Sequence, residues 1–163
     1  MTEPEEELKG KAMEYFQKAY ELQTQGDLEG AIAYYTKSID LYPTAEAYTF
    51  RGWTYSFMGR LDEAIEECHK AIAIDPDFGN PYNDIGAYLI QKGQLDEAIP
   101  WLEKAVVAKR YESRAFPRMN LGRIWERKGQ WRKAMEEYKK AVEANPDYTP
   151  GLQALQRLQA MMN

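Results

Sequence analysis

The sequence predicts an all-α solenoid of four helix pairs plus a C-terminal capping helix. Three observations carry this expectation. Gly26, Gly59, Gly93 and Gly129 recur at spacings of 33, 34 and 36 residues. Three further columns of small residues keep step with them: Ala19, Gly52, Gly86 and Gly122 seven positions before, Ala31, Ala64, Ala98 and Ala134 five after, and Ser38, Ala71, Ala105 and Ala141 twelve after. Between these columns apolar residues recur every three or four positions, as in Tyr82, Ile85, Gly86 and Leu89, which is the period of a helix face. A repeat in the mid-thirties marks stacked helical units rather than one globular core.

Taken in order, residues 1–11 are an acidic N-terminal extension of the first helix. Four units follow at 12–44, 45–78, 79–112 and 113–147. In each, the glycine ends the first helix, where a left-handed residue is favoured. Acidic residues such as Asp62-Glu63 and Asp96-Glu97 then open the second helix, at the positive end of its dipole. Its packing stripe reads Leu61, Ala64, Ile65, Cys68, Ala71 and Ile72 in the second unit. Tyr42-Pro43, Asp75-Pro76 and Asn145-Pro146 end three of the second helices, because the residue before proline is driven out of helical geometry. The third unit departs from this: Lys109-Arg110-Tyr111 stands where the others have proline, and Pro100 lies early in its second helix. Residues 148–163 are the capping helix, with Leu152, Leu155, Leu158 and Met162 spaced as one face.

Small residues at these spacings, the terminal prolines, and the run Leu121-Gly122-Arg123-Ile124-Trp125 followed by Ala134, Tyr138, Ala141 and Pro146 resemble the tetratricopeptide repeat. The resemblance covers about residues 12–147 and implies a non-catalytic protein-interaction module. It also implies that the first helices line a concave groove. The side chains off the packing stripe of those helices are then the groove candidates: Phe16 and Tyr20, Thr49 and Trp53, Asn83 and Ala87, and Met119, Asn120, Arg123 and Arg127. Phe50 and Phe57 fit either the groove or packing between repeats. One version of the family grips chaperone tails through a carboxylate clamp of Lys, Asn and Arg. At the matching positions this sequence has Phe16, Tyr20, Asn80 and Asp84, so it lacks that clamp. Asn120 and Arg123 remain a candidate pair for a carboxylate in the fourth unit.

Charge and composition narrow the function further. The net charge of −5 hides a gradient: −9 over residues 1–78, −1 over 79–112 and +5 over 113–163. The basic end suits an acidic partner near repeat four. The opposite ends also leave open self-association into a scaffold. Nucleic acid is not expected, because the chain is acidic and carries no reader motif. No apolar run reaches the length of a membrane span, and the acidic N-terminus lacks the features of a secretory signal. With a single cysteine, Cys68, the expected place is the cytoplasm. No catalytic group, metal or cofactor is expected. Cys68 and His69 are adjacent on one helix and so do not face each other. No Cys/His set has zinc spacing, and there is no phosphate loop.

Overall fold

A computed structural model describes residues 1–163. Nine helices are present: α1 (Glu3–Thr24), α2 (Leu28–Leu41), α3 (Ala45–Phe57), α4 (Leu61–Ile74), α5 (Asn80–Gln91), α6 (Leu95–Val107), α7 (Ala115–Arg127), α8 (Trp131–Ala144) and α9 (Thr149–Met162). They form two compact units, Met1–Pro76 with α1–α4 and Asp77–Asn163 with α5–α9. No helix is long and apolar enough to cross a membrane.

The glycines do what their spacing predicts. Gly26, Gly59, Gly93 and Gly129 have φ between +73° and +87°, a region that costs an L side chain strain. Each sits in the same double hydrogen-bonded cap. In the first, Gly26 N–H donates to Gln23 O at 3.0 Å and Asp27 N–H to Leu22 O at 2.9 Å. That arrangement satisfies the last carbonyls of the helix and reverses the chain. The three ends that precede a proline also appear as expected. Tyr42, Asp75 and Asn145 are extended C-caps that stop α2, α4 and α8. At the N-terminus, Thr2 and Glu5 form a reciprocal capping box, which starts α1 two turns before the first packed residue, Ala12.

Within each pair, small residues set how closely the helices approach. A β-carbon on Gly52 would lie 3.0 Å from the Ala64 carbonyl oxygen and from Glu67 Cβ. On Gly86 it would collide with the Leu102 side chain, and on Gly122 with the Tyr138 ring. Tyr138 and Leu102 are almost wholly buried; neither has room to yield.

In the first unit Ala19, Ala31 and Tyr35 form one core cluster, with Phe16 and Phe50 packed on it. The Arg51 guanidinium on α3 grips the buried Glu67 carboxylate of α4 through Nε at 2.6 Å and a terminal nitrogen at 3.0 Å. Its remaining terminal nitrogen donates to Thr36 Oγ1 on α2 at 3.1 Å. This one side chain therefore ties three helices together.

In the second unit the missing proline is replaced by a clipped loop. Arg110 N–H donates to Asp77 O at 2.9 Å, and Gly79 N–H to Arg110 O at 3.0 Å. Tyr111 packs its ring over Gly79, where any β-carbon would clash. Arg114 donates to the carbonyls of Val106 and Ala108 at 2.6 and 2.7 Å. Pro100 is accommodated without interrupting α6.

The closing helix differs in detail from the expected face. Gly151 and Leu158 are buried, with Ala154 and Leu155 partly so, while Leu152 and Met162 are exposed. The face is rotated because Gly151 lets α9 lie close to Ala141, Val142 and Met119, so the helix turns its glycine inward instead of Leu152.

Candidate functional site

On the first unit, α1 and α3 carry a run of aromatic rings. Phe16 meets Phe50 edge-on at 5.2 Å between centroids, Tyr20 meets Phe50 at 5.9 Å, Phe50 meets Trp53 at 6.0 Å and Trp53 meets Phe57 at 4.9 Å. Edge-to-face packing at these distances is favourable. Phe16 and Phe50 form the base, since both also pack on Tyr35. Tyr20, Trp53 and Phe57 stand above it at 42%, 37% and 57% exposure, more than core aromatics show. Phe50 is partly buried and packs on Tyr35, and Phe57 is exposed. Thr49 differs from the sequence expectation. It is buried, and its hydroxyl donates to the Ala45 carbonyl on its own helix at 2.7 Å.

Next to this row lies a cavity of about 320 Å³ lined by Ala12, Met13, Phe16 and Gln17 of α1, Ser38 of α2 and Glu46 of α3, among others. Phe16 belongs to both. At the other end of α1, Tyr35 donates its hydroxyl to Gln23 Oε1 at 2.7 Å, and burial pushes the phenol above its usual range. Gln23 Nε2 is buried with no hydrogen-bond partner.

On the second unit the expected residues divide by depth. Asn83, Met119 and Asn120 are buried, Ala87 is half-buried, and Arg123 and Arg127 are exposed. Three of them form a relay. Arg123 donates to Asn120 Oδ1 at 3.0 Å, and Asn120 Nδ2 donates to Asn83 Oδ1 at 3.0 Å. Because a guanidinium only donates, the relay has one direction. It leaves the Asn83 amide nitrogen and the remaining Arg123 N–H groups as donors.

Beside Arg123, Glu126 holds Arg157 of α9 in a two-point ion pair, with one contact at 2.9 Å. Glu126 also accepts from the buried Tyr138 hydroxyl at 2.7 Å. Hydrogen bonding from Arg157 keeps this carboxyl below its usual range. Sequence reasoning missed Glu126, Tyr138 and Arg157 as a group because they come from three helices. Only the count of basic residues hinted at Arg157. Elsewhere the basic cluster is partly neutralised, with Arg118 paired to Glu137 at 3.0 Å and Lys128 to Asp96.

Asp84 on α5 is the other unexpected group. Burial raises its carboxyl to about 7, and its charge is felt by Tyr111. A raised carboxyl disfavours the charged form in the folded state. The penalty is therefore absent below the unfolded value near 4, grows from there to pH 7, and is complete above it. Asp84→Asn is expected to stabilise the chain by roughly 1–3 kcal/mol at pH 8. Little gain remains at pH 4, as urea unfolding at the two pH values checks.

Cys68 is fully buried while its neighbour His69 is exposed on α4. No group of His, Cys, Asp and Glu is placed to hold a metal ion.

Helix pairs closed by a left-handed glycine, with a face of side chains left open on the first helix of a pair, define a helical-repeat interaction protein. The chain belongs to the tetratricopeptide repeat family, whose models match residues 15–44, 45–78, 80–110 and 115–148. It is similar to the small glutamine-rich tetratricopeptide repeat-containing protein 2 of Mycosarcoma maydis, at 34% identity over 55% of this chain and 28% of that protein. It is also similar to the heat shock protein STI1 of Saccharomyces cerevisiae, at 30% identity over 58% of this chain and 16% of that protein. The chain thus spans under a third of either relative. Among solved structures, PilF of Pseudomonas aeruginosa shares the fold, with a TM-score of 0.86 and 21% identity over 97% of this chain and 70% of that one. The chain is a protein–protein interaction module with an all-α tetratricopeptide helical-repeat fold.

Proposed function

We propose that the module binds a segment of a partner protein, as an extended peptide or a short helix, on the open faces of its first helices. The observation that carries this reading is the aromatic row of the first unit. Tyr20, Trp53 and Phe57 hold solvent-facing positions on a base fixed by Phe16 and Phe50. Rigid aromatics lose little conformational freedom on binding and are the usual anchors of protein recognition. The relay in the second unit supports the same reading, since it offers donors suited to backbone carbonyls or carboxylates. An acidic partner near the fourth repeat fits the exposed Arg123 and Arg127.

Panning a random peptide display library against the full chain tests this. Peptides enriched on the wild type are expected to bind Trp53→Ala at least tenfold more weakly. Its melting temperature should change little, because Trp53 lies above the core. Enriched peptides that ignore Trp53→Ala, or a strongly lowered melting temperature with binding intact, would overturn the proposal.

A second reading, self-assembly through the ends, rests on the exposure of Leu152, Met161 and Met162 on α9 and on the acidic first unit against the basic last repeat. Light scattering that gives a monomer mass at all concentrations removes it.

A further inference from the structure

Two guanidinium groups and one carboxylate line a cavity of about 380 Å³ in the second unit. Its walls are Met119, Arg123 and Glu126 of α7, Tyr138 of α8, and Pro150, Gln153, Ala154 and Arg157 of α9. Glu126 is committed to Arg157 and to the Tyr138 hydroxyl, so one positive charge, on Arg123, stays uncompensated. Arg123 spends one donor on Asn120 Oδ1, and its charge reaches Glu126, which places it at the cavity rather than away from it. The remaining wall is aliphatic: Met119, Pro150 and Ala154.

We propose that this cavity is a binding site for one internal glutamate side chain of the partner segment. The proposal rests on the groove-binding reading above and names the chemistry of one of its contacts. A single carboxylate balances the single free guanidinium and can be held bidentately. The methylene stem of a glutamate lies against Met119, Pro150 and Ala154, while Gln153 supplies an amide donor. A doubly charged phosphate exceeds the charge the cavity can balance and brings no stem for the aliphatic wall.

Amide and arginine side-chain NMR of the full chain tests this with three blocked pentapeptides. These are acetyl-Ala-Ala-Glu-Ala-Ala-amide and its glutamine and phosphoserine counterparts. The glutamate peptide is expected to move the signals of Gln153, Ala154 and Arg123 Nε–H, and to bind roughly tenfold or more tightly than the glutamine peptide. Arg123→Gln should abolish that preference with little change in melting, because the Glu126–Arg157–Tyr138 contacts remain and the glutamine amide keeps a donor for Asn120 Oδ1. Arg123→Glu should reverse the preference toward a lysine peptide. Equal binding of the glutamate and glutamine peptides, tighter binding of phosphoserine, a preference that survives Arg123→Gln, or unmoved signals at millimolar peptide would each overturn the proposal. Peptides dependent on Trp53 would still bind in every one of those cases if only the glutamate site is wrong.

Discussion

Arg51→Ala is expected to destabilise the first unit by about 3 kcal/mol or more, the cost of stranding a buried carboxylate. Glu67 is 4% exposed, and after the substitution only Lys70, at 3.2 Å and itself half-exposed, would face it. The burial has a local cause: Gly52 brings α4 so close to α3 that its missing β-carbon would touch Glu67 Cβ. The loss is not the net worth of the ion pair. Replacing Arg51 and Glu67 together by methionine should cost far less, since a buried pair and an apolar pair of like volume often differ little. Urea unfolding followed by far-ultraviolet circular dichroism separates the two outcomes. Equal losses for the single and double variants would show that packing, not the stranded charge, sets the cost.

Leu158→Ala is expected to cost about 2–5 kcal/mol, concentrated in the attachment of α9. Leu158 is fully buried among Ala115, Met119, Ala134, Tyr138 and Ala141, and it is the one large side chain of α9 buried to that degree. Hydrogen exchange should accelerate through α9 before the rest of the second unit, because local opening follows the weakest set of packed contacts. Uniform acceleration across α5–α9 would mean instead that the helix is integral to the unit. Since α9 supplies half the walls of the glutamate cavity, the same variant should lose binding of the glutamate peptide while Trp53-dependent peptides persist.

The architecture was legible because it is written in short-range terms. A left-handed turn needs glycine, a close helix pair needs small residues, and both leave columns at a fixed period. Depth was harder to read. Thr49 and Trp53 share a helix face by spacing, yet one is buried and the other open, because the neighbouring elements decide how far each position is covered. Asn83, Met119 and Asn120 share the groove face by spacing, and their burial follows from the elements packed around them, which no periodicity encodes. The α9 face is hidden from the sequence for a related reason: a pattern of leucines cannot report that a glycine is the residue turned inward. Arg51 and Glu67 lie sixteen positions apart on different helices, so nothing local announces their pairing. Likewise, the Glu126–Arg157 contact spans thirty-one positions.

The four glycine caps have a consequence for how such a chain can change in length. Every pair turns through three residues with glycine in the middle: Gln25–Asp27, Met58–Arg60, Lys92–Gln94 and Lys128–Gln130. Inside the second unit the joints between helix pairs are unequal instead, with Ala108–Arg114 ahead of α7 and the shorter Asn145–Tyr148 ahead of α9. A change in length is therefore expected to be tolerated better at the joints than at the glycine turns, where a residue more or less would break the cap. The hairpin is the rigid tile of this chain, and the seams between tiles are where a designer has room to add or remove residues.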